Sequence, residues 1–422
     1  MKIKRINKCR FCKSKNLKKV VSLGNQNLQG YFIDKNQKNN HKFINKKFLT
    51  ELVRCDNQKN KNGCGLLQLS VSVPSDILYK KYFYRSGINL TMKNHLKKLA
   101  TKIDRFFKNK NRVYILDIGC NDGTLLNFFS KKYLKYGIDP SDSFPLSGVK
   151  NIKFINDFFP SSKLKLKLGN KKFDVITSIA MFYDLEDPSS FVKNINNSLS
   201  KDGLWIFEVS YMPKMLKLNS FDTICHEHLE YYSLTVIRKI LSQSNMKLAK
   251  IELNNSNGGS IRCFVVKKNC QKYHKKNYLM EINKLLNNEK KLKLHTNEPY
   301  INFANNIEKI KKKLLKLISK LKSKNKIIHV YGASTKGNTI LQYCKINNTL
   351  IKFAADRNLE KDGLKTLGSD ISIISEYKSR NMRPDYYLAL PWHFKEEFIK
   401  RENKFLKNGG KFIFPLPKVE II

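Results

Sequence analysis

Apolar runs and polar stretches of helical length alternate through the middle of the chain. This alternation is typical of a parallel, doubly wound sheet that carries helices on both faces. Residues 76–265 contain the pattern and predict an α/β core. The predicted strands are VYILDIG, LKYGID, FDVITSI, GLWIFEV and IRCFVV.

The segments on either side of this core have different patterns. Residues 1–75 predict a loop-rich unit with short strands around two pairs of cysteines. Residues 266–325 predict helices, because apolar residues recur there at spacings of three and four. Residues 326–422 begin a second alternation, which predicts a smaller α/β unit. The helical stripe, which we expect to pack as one apolar face, consists of Ile307, Ile310, Leu314, Leu317 and Leu321.

Composition adds one alternative to this picture. The chain has 422 residues, 41% of them hydrophobic, which is enough for several folded cores. Its net charge of +47 makes nucleic-acid binding an alternative function. Lysines outnumber arginines 69 to 12 and are spread evenly, which disfavours a base-reading surface. Because no apolar run reaches the roughly 20 residues that span a bilayer and no secretory signal is seen, we expect a cytoplasmic protein without a membrane partner.

Four of the nine cysteines fall within the first 64 residues. Cys9 and Cys12 form the knuckle CRFC, and Cys55 and Cys64 follow as a wider pair. Four thiolates on one ion complete a closed tetrahedral zinc site, which is structural because no position stays open for water. The alternative is a small module with four free thiols. The odd total of cysteines argues against a disulfide framework and favours a reducing compartment.

The stretch VYILDIGCNDGTLLNFF combines a strand, a glycine turn and the start of a helix. Asp117 ends the strand, and Gly119 and Gly123 permit a tight turn that a ligand can approach closely. Asn121 stands where the GxGxxG pattern of NAD-binding turns needs glycine, so NAD is disfavoured. Alone, the turn does not identify a cofactor.

Two further predicted strands end in acidic residues. Asp139 follows the turn at the spacing of about 20 residues that lets a carboxylate accept hydrogen bonds from both hydroxyls of a ribose. Asp157 follows the third strand, where it can meet an adenine amino group, and Phe158 can pack beside the ring. Three acidic strand ends in this order resemble the S-adenosylmethionine (SAM) site of class I methyltransferases. The expected cofactor is therefore SAM.

The stretch CHEHLEYY contains a glutamate with one histidine on each side. Paired metal-binding histidines on a helix stand four residues apart, whereas His226 and His228 are two apart, which disfavours a catalytic metal. A histidine with a pKa near neutrality suits an acid–base centre. The residues alone leave an acid–base role and simple packing both open.

With these motifs in view, the chain resembles the sugar C-methyltransferases, which act on nucleotide-linked 4-keto-deoxysugars. The resemblance covers nearly the whole length. It implies a zinc-binding module at residues 1–75, a Rossmann-like SAM-dependent methyltransferase domain at 76–265, a helical connection at 266–325, and a C-terminal Rossmann-like domain at 326–422 that helps hold the nucleotide sugar. The motifs that carry it are CRFC with the later cysteine pair, YFYRSGINLTM, DIGCNDG, HEHLEYYSL, NGGSIRCFV, YGASTKGNT, and PDYYLALPWHF with GGKFIFPLP.

The resemblance also implies a reaction. SAM would donate a methyl group to C3 of a nucleoside-diphosphate 4-keto-6-deoxysugar, with thymidine diphosphate (TDP) as the expected carrier, to give a branched sugar. His228 is the implied base, and Glu227 is the partner that raises its pKa and orients its ring. His226 either hydrogen-bonds the enolate oxygen at C4 or packs, and Tyr84 approaches the substrate.

Two positions depart from the family pattern. Relatives carry Tyr where Cys225 stands and His near the position of Asp184, and those side chains were proposed to assist the acid–base steps. We interpret FYDLEDP and CHEHLEYY as a self-consistent variant. A methyltransferase of the same fold that acts on oxygen or nitrogen, and a basic protein that binds or modifies RNA, remain the alternatives.

Three more residues have expected positions. Tyr231 and Tyr232 are expected to line the pocket. Lys336 lies in YGASTKGNT, which follows a predicted strand and opens a helix. Such a helix N-terminus can bind phosphate through its amides and dipole, and the lysine would add positive charge. The alternative is a turn that serves the fold and holds no ligand.

Overall fold

A computed structural model describes residues 3–34, 46–58, 63–80, 84–142, 151–273 and 275–422. Tyr82 and Phe83 of the motif YFYRSGINLTM lie outside these residues, as do parts of the cysteine-rich N-terminal segment. Within the described ranges, no helix combines the length and the apolar character that crossing a bilayer requires.

The N-terminal segment contains more strand than the predicted loop-rich unit. Strands of ten and eight residues pair in antiparallel fashion at one side of a four-stranded sheet, with the ten-residue strand at its edge. Sequence reasoning underestimated the first of them because LKKVVSLGNQ carries polar residues and a glycine, and only one of its faces packs inward. The elements are β1 Lys4–Arg5, β2 Leu17–Gln26, β3 Phe32–Asp34, β4 Phe48–Cys55, β5 Leu67–Leu69, β6 Val71–Ser72 and α1 Ser75–Tyr79.

The middle of the chain forms a seven-stranded α/β sheet. Its elements are α2 Leu90–Phe106, β7 Val113–Ile118, α3 Thr124–Asn127, β8 Tyr133–Asp139, β9 Ile152–Asn156, α4 Ser162–Leu168, β10 Phe173–Ile179, α5 Pro188–Ser198, β11 Leu199–Ser210, α6 Met212–Lys217, β12 Glu230–Tyr231, α7 Leu234–Gln243, β13 Met246–Asn254 and β14 Ser260–Lys267. The strand order is β13-β14-β11-β10-β7-β8-β9. The five strands β11, β10, β7, β8 and β9 run parallel to one another. Because the order reverses at β7, a crevice opens at the carboxyl ends of the central strands, where ligands bind in such sheets.

The stretch IRCFVV was expected in the parallel part of this sheet, and that expectation is wrong. It forms β14, which runs antiparallel to both β11 and β13. The physical reason is the short connection Asn255–Gly259, which is long enough for a hairpin but too short for the crossover that a parallel pair needs.

The Lys- and Asn-rich stretch is helical, as predicted. It forms α8 Lys276–Lys291 and α9 Glu298–Ser323. The inward face of α9 packs in the same hydrophobic core as β2 and the C-terminal strands. Four of the five predicted stripe residues are buried; Leu317 is only partly buried, and Ile318 lies inside instead.

The C-terminal part forms an eight-stranded sheet in the order β21-β20-β19-β15-β16-β18-β17-β3. The apolar runs IIHVYGAS, LIKFAAD, YYLALP and KFIFPLP of the second alternation contain four of these strands, whereas the short β17, β18 and β21 were missed. The elements are β15 Ile328–Tyr331, α10 Thr335–Tyr343, β16 Phe353–Asp356, β17 Leu364–Thr366, β18 Ser372–Ser375, α11 Glu376–Asn381, β19 Tyr386–Ala389, α12 Lys395–Arg401, α13 Asn403–Lys407, β20 Lys411–Phe414 and β21 Glu420–Ile421. Short 3₁₀ turns cover Phe221–Thr223, Ser256–Gly258, Leu359–Lys361 and Trp392–Phe394.

Two strand pairings tie the N-terminal segment to the rest of the chain. The N-terminal strand β3 forms the edge of the C-terminal sheet by pairing with β17. The core strand β12 forms the edge of the N-terminal sheet by pairing with β5. The N-terminal segment therefore lies between the two α/β units and contributes to the space that they enclose.

Candidate active site

A cavity of about 680 Å³ lies where the three parts of the protein meet. One wall consists of the carboxyl ends of the core strands, and the opposite wall consists of the turn after β15 and the start of α10. Gly30 and Phe32 of the N-terminal segment contribute to the lining. The cavity is large enough for a drug-sized ligand and connects both sheets.

The turn after β7 forms the core end of this cavity. Gly119 has φ +70°, and a Cβ there would lie 3.1 Å from the Met181 side chain, so the position favours glycine. The amide of Asn121 donates to Asp139 Oδ2 at 2.8 Å, which fixes the turn against the end of β8. Gly119, Asn121 and Asp139 line the cavity, whereas Gly123 caps α3 behind the turn and is absent from the lining.

The carboxylate of Asp117 lies at the end of β7, and that of Asp157 follows β9. Thr177 Oγ1 donates to Asp117 Oδ1 at 2.6 Å. Burial, reinforced by the carboxylates of Asp139 and Asp122, raises the pKa of Asp117 to about 7. Asp157, with Phe158 beside it, also faces the cavity, so all three predicted acidic strand ends line one space.

The segment that begins at Tyr84 covers this turn. The side-chain amide of Asn121 donates to the Tyr84 carbonyl at 3.0 Å and accepts from the Ser86 amide at 3.0 Å. The amide of Gly87 donates to Asp122 Oδ2 at 2.8 Å. Tyr84 therefore stands over the glycine turn, lines the cavity and is 45% exposed.

His228 faces the cavity from the segment between α6 and β12. Its Nδ1 lies 2.8 Å from the Thr223 carbonyl, so Nδ1 carries the proton and Nε2 keeps its lone pair. The ring packs edge-on against Tyr183 at 4.5 Å. Burial and the nearby ammonium of Lys336 lower the pKa of His228 to about 3. The expectation that Glu227 orients this ring is wrong, because the Thr223 carbonyl takes the orienting hydrogen bond, and the pKa of the ring is lowered overall and not raised.

Glu227 lies beside His228 and also lines the cavity. Its Oε1 is 3.4 Å from Thr335 Oγ1 of the C-terminal domain, and a Cβ at Gly30 would lie only 1.9 Å from the same oxygen. The Tyr79 hydroxyl donates to the Glu227 carbonyl at 2.8 Å. Burial raises the pKa of Glu227 to about 7, so this carboxyl group exchanges its proton near neutral pH.

His226, unlike His228 and Glu227, lies outside the cavity wall, and the geometry does not support its expected catalytic role. The side chain is fully buried and absent from the cavity lining. Its Nδ1 lies 2.7 Å from Gln29 Oε1, and its Nε2 lies 3.1 Å from Thr50 Oγ1. Burial lowers the pKa of His226 to about 4. Of the two alternatives, packing describes this residue.

The two tyrosines that end CHEHLEYY are also packed and do not line the cavity, contrary to expectation. The Tyr231 hydroxyl donates to the Thr223 carbonyl at 3.1 Å, and the Tyr232 ring stacks on Phe182 with centroids 5.1 Å apart. The segment FYDLEDP therefore supports CHEHLEYY directly. The Tyr183 carbonyl strengthens this contact by accepting from the two amides of Leu229 and Glu230, at 2.8 and 2.9 Å.

The two departures from the family pattern lie close to this contact. Asp184 lines the cavity, and burial raises its pKa well above the ordinary carboxyl value. Burial likewise raises the pKa of the Cys225 thiol. Ligand atoms of Cys225, Glu227 and His228 lie within 4.8 Å of one another, a spacing that a metal ion could use. The positive charge of the Lys336 ammonium acts on His228 and Cys225 of this group, so it disfavours the binding of a metal cation there.

The four predicted zinc ligands are gathered in the N-terminal segment. Their Sγ atoms all lie within 4.8 Å of one another, with Cys9 and Cys64 at 3.6 Å and Cys12 and Cys55 at 3.4 Å. Zinc bonds of about 2.3 Å in a tetrahedron place sulfur atoms about 3.8 Å apart. The Gln68 side-chain amide donates to Cys9 Sγ at 3.3 Å, as expected beside a thiolate. The donor set and its spacing fit a closed structural zinc site.

Comparison with known families identifies all three parts of the chain. Residues 92–251 match a methyltransferase domain, residues 255–417 match the C-methyltransferase C-terminal domain, and residues 9–79 match a zinc-binding domain. The chain is a SAM-dependent C-methyltransferase of this three-domain family.

Individual proteins are similar to all or part of this chain. The C-methyltransferase NovU of Streptomyces niveus is 26% identical over 425 residues, which cover 100% of this chain and 98% of that protein. The tRNA U34 carboxymethyltransferase of Sulfurimonas denitrificans is 32% identical over 117 residues, which cover 26% of this chain and 38% of the relative. Among solved structures, the plantazolicin methyltransferase BpumL in complex with a pentazolic desmethylPZN analog and SAH has 16% identity and a TM-score of 0.33, and the match covers 42% of this chain and 85% of that chain.

The C-terminal sheet of this C-methyltransferase repeats the turn of its core, which sequence analysis missed. Gly332 follows β15 with φ +87°, and the amide of Ala333 donates to Asp356 Oδ2 at 2.8 Å. The amide of Asn121 donates to Asp139 Oδ2 at the same distance. Both carboxylates line the cavity. The signal was present, because LIKFAAD ends in aspartate after an apolar run, as YGID does.

Proposed function

We propose that this enzyme transfers a methyl group from SAM to C3 of a nucleoside-diphosphate 4-keto-6-deoxysugar and so makes a branched sugar. The observation that carries the proposal is the single cavity, which joins the acidic strand ends of the core to the glycine turn of the C-terminal sheet and has His228 and Glu227 in its wall. Full-length similarity to a C-methyltransferase, NovU, supports the same chemistry. TDP is the carrier that we propose, held by residues 326–422.

His228 is the proposed base. Its Nδ1 proton is directed to the Thr223 carbonyl, which leaves Nε2 free to take the C3 proton. The imidazole is neutral before the substrate binds, as a base must be, because burial and the Lys336 ammonium disfavour its charged form. Glu227, whose ligand atom lies within 4.8 Å of that of His228, offsets the positive charge that forms on the ring. Tyr84 is proposed to approach the substrate from above the turn.

The methyl donor is proposed to occupy the core end of the cavity. SAM supplies an electrophilic methyl group on a positively charged sulfur. We propose that Asp139 accepts from the ribose hydroxyls and that Asp157 and Phe158 contact the adenine, because all three line the core end of the cavity. The tight turn at Gly119 and Asn121 lets SAM approach the backbone closely. Zinc at the four cysteines is structural and takes no part in the transfer.

The substrate assignment is tested by mass spectrometry. Purified enzyme is incubated with methyl-labelled SAM and a panel of nucleotide sugars with and without a 4-keto group, in deuterated buffer. We expect one labelled methyl on the carbon skeleton of a 4-keto-6-deoxysugar and deuterium at C3 when SAM is omitted. A methyl group attached as an ether would move the reaction to oxygen, and the absence of both exchange and transfer across the panel would contradict the assignment.

The ionisation of Asp117 gives a prediction for donor binding. Because the pKa of Asp117 is raised to about 7, this carboxyl group is partly protonated at neutral pH. A cationic ligand favours the carboxylate, so its binding lowers this pKa and releases a proton. We expect SAM affinity to rise with pH between about 6 and 8. Titration calorimetry in two buffers of different ionisation enthalpy should show proton release, and Asp117→Asn should abolish it. Equal heats in both buffers would contradict this role.

A further inference from the structure

We infer that Lys336 is a catalytic residue whose ammonium group binds the oxygen at C4 of the substrate and stabilises the enolate. This inference rests on the proposed function and deepens it. It fills a role that the sequence had left to His226, which is buried with its ring nitrogens engaged elsewhere. Removing the C3 proton leaves negative charge on that oxygen, and such charge needs a fixed donor.

The position of Lys336 places its charge on the catalytic side of the cavity. The residue belongs to the first turn of α10, but its Nζ donates to the Asn257 carbonyl at 3.2 Å, in the hairpin loop of the core. Its neighbour Thr335 contacts the Glu227 carboxylate. Lys336 lines the cavity together with His228 and Asn257. The side chain thus reaches from the C-terminal domain to the residues that would remove the proton.

Lys336 differs from the other cations of the cavity wall. Arg85, Arg357, Lys361 and Arg401 each have a carboxylate oxygen within 4.0 Å. Among the residues that the structure describes, no carboxylate lies that close to Lys336, and its hydrogen bond to Asn257 uses one of three donors. Two N–H groups are therefore available for an anionic oxygen in the cavity.

The surroundings of Lys336 disfavour its charge on balance, although the buried carboxylate of Asp222 offsets part of this effect. The positive end of a helix dipole lies at its N-terminus, so a cation in the first turn is disfavoured. Burial in the cavity wall also disfavours the charge and lowers the pKa of Lys336. A phosphate bound at the helix N-terminus would explain the charge, but the ammonium instead donates to the Asn257 carbonyl of the core. The cation is therefore placed for a group that lies near His228.

The proposed step conserves atoms and electrons. His228 Nε2 takes the C3 proton, the C–H pair forms the C3–C4 double bond, and the carbonyl pair moves onto the C4 oxygen, where Lys336 donates a hydrogen bond. C3 then bonds to the methyl carbon as the bond from methyl to sulfur breaks, with its electron pair staying on sulfur. The oxygen returns to a carbonyl, and the proton leaves His228 for water.

The test separates enolate stabilisation from phosphate binding. Lys336→Met and Lys336→Arg are compared with the wild-type enzyme and with Lys352→Met, which removes an exposed lysine of the same domain. Deuterium uptake at C3 without SAM, the kcat and KM of methyl transfer, and the Kd of TDP are measured for each. We expect Lys336→Met to lower exchange and kcat together by about 10²- to 10³-fold, with Lys336→Arg partly active and TDP affinity unchanged.

Other outcomes overturn the inference in distinguishable ways. If Lys336→Met weakens TDP binding and retains kcat and exchange, the lysine binds phosphate and the inference is wrong. If Lys336→Met exchanges as fast as the wild-type enzyme, the enolate oxygen is held by another group. If the wild-type enzyme itself neither exchanges nor methylates any 4-keto sugar, the proposed function fails, and the inference fails with it.

Discussion

Replacement of His228 by alanine is expected to reduce methyl transfer by about 10²- to 10⁴-fold, the usual contribution of a general base. The same variant should lose deuterium exchange at C3 by a similar factor, because both reactions begin with proton removal. Donor binding should persist, since His228 belongs to the segment between α6 and β12 and not to the turn at Gly119, where we propose that SAM binds. SAM affinity from calorimetry and C3 exchange from mass spectrometry check the two statements separately.

Two further variants show whether the loss is specific. His295→Ala removes an exposed histidine and should leave exchange unchanged. His226→Ala removes contacts to Gln29 and Thr50, so it should lower the melting temperature. The folded fraction of that variant should still exchange C3. If His226→Ala abolished exchange without loss of stability and His228→Ala did not, the roles of the two histidines would be reversed.

Removal of one zinc ligand is expected to affect both stability and activity. In Cys64→Ser, zinc measured by elemental mass spectrometry should fall from about one ion per chain to near zero. The first thermal unfolding transition should fall by about 10 °C, because metal binding contributes directly to folding free energy. Methyl transfer should fall as well, since Gln68 donates to Cys9 Sγ and pairs with Glu230, two residues after His228.

A matched cysteine provides the control for the zinc variant. Cys270 is buried but lies outside the cluster, so Cys270→Ser makes the same chemical change without touching the metal. It should retain full zinc and nearly full activity. A zinc-free Cys64→Ser enzyme with wild-type melting temperature and rate would contradict the structural role of the site.

Local patterns were sufficient to predict much of the fold. Strand periodicity located the central core strands, and strand-end aspartates identified the residues that line the donor end of the cavity. The spacing of the cysteines predicted the four thiols that the fold gathers within 4.8 Å of one another, because a metal site depends on residue type as much as on position. These features rely on near neighbours in sequence or on fixed chemistry.

The parts that failed depend on contacts between distant residues. His226 and His228 look equivalent in CHEHLEYY, but the partner that buries His226 is Gln29, 197 positions away. The carbonyl that orients His228 belongs to Thr223, only five residues away, but a backbone oxygen carries no signal in the sequence, so the Phe221–Thr223 turn had to be seen folded. Lys336 looked like a phosphate ligand of its own helix until the loop of another domain was placed beside it. No pattern within a single motif carries this information.

The pairing of β3 with β17 constrains how this enzyme can be recombined with its relatives. A chimera that exchanged only residues 326–422 would retain a foreign Phe32–Asp34 strand at the sheet edge. The exchange would also place a foreign residue at position 335, where Thr335 Oγ1 lies 3.4 Å from Glu227 Oε1. A functional transplant should therefore carry two separate pieces of chain, and libraries built with a single crossover point should yield mostly unfolded proteins.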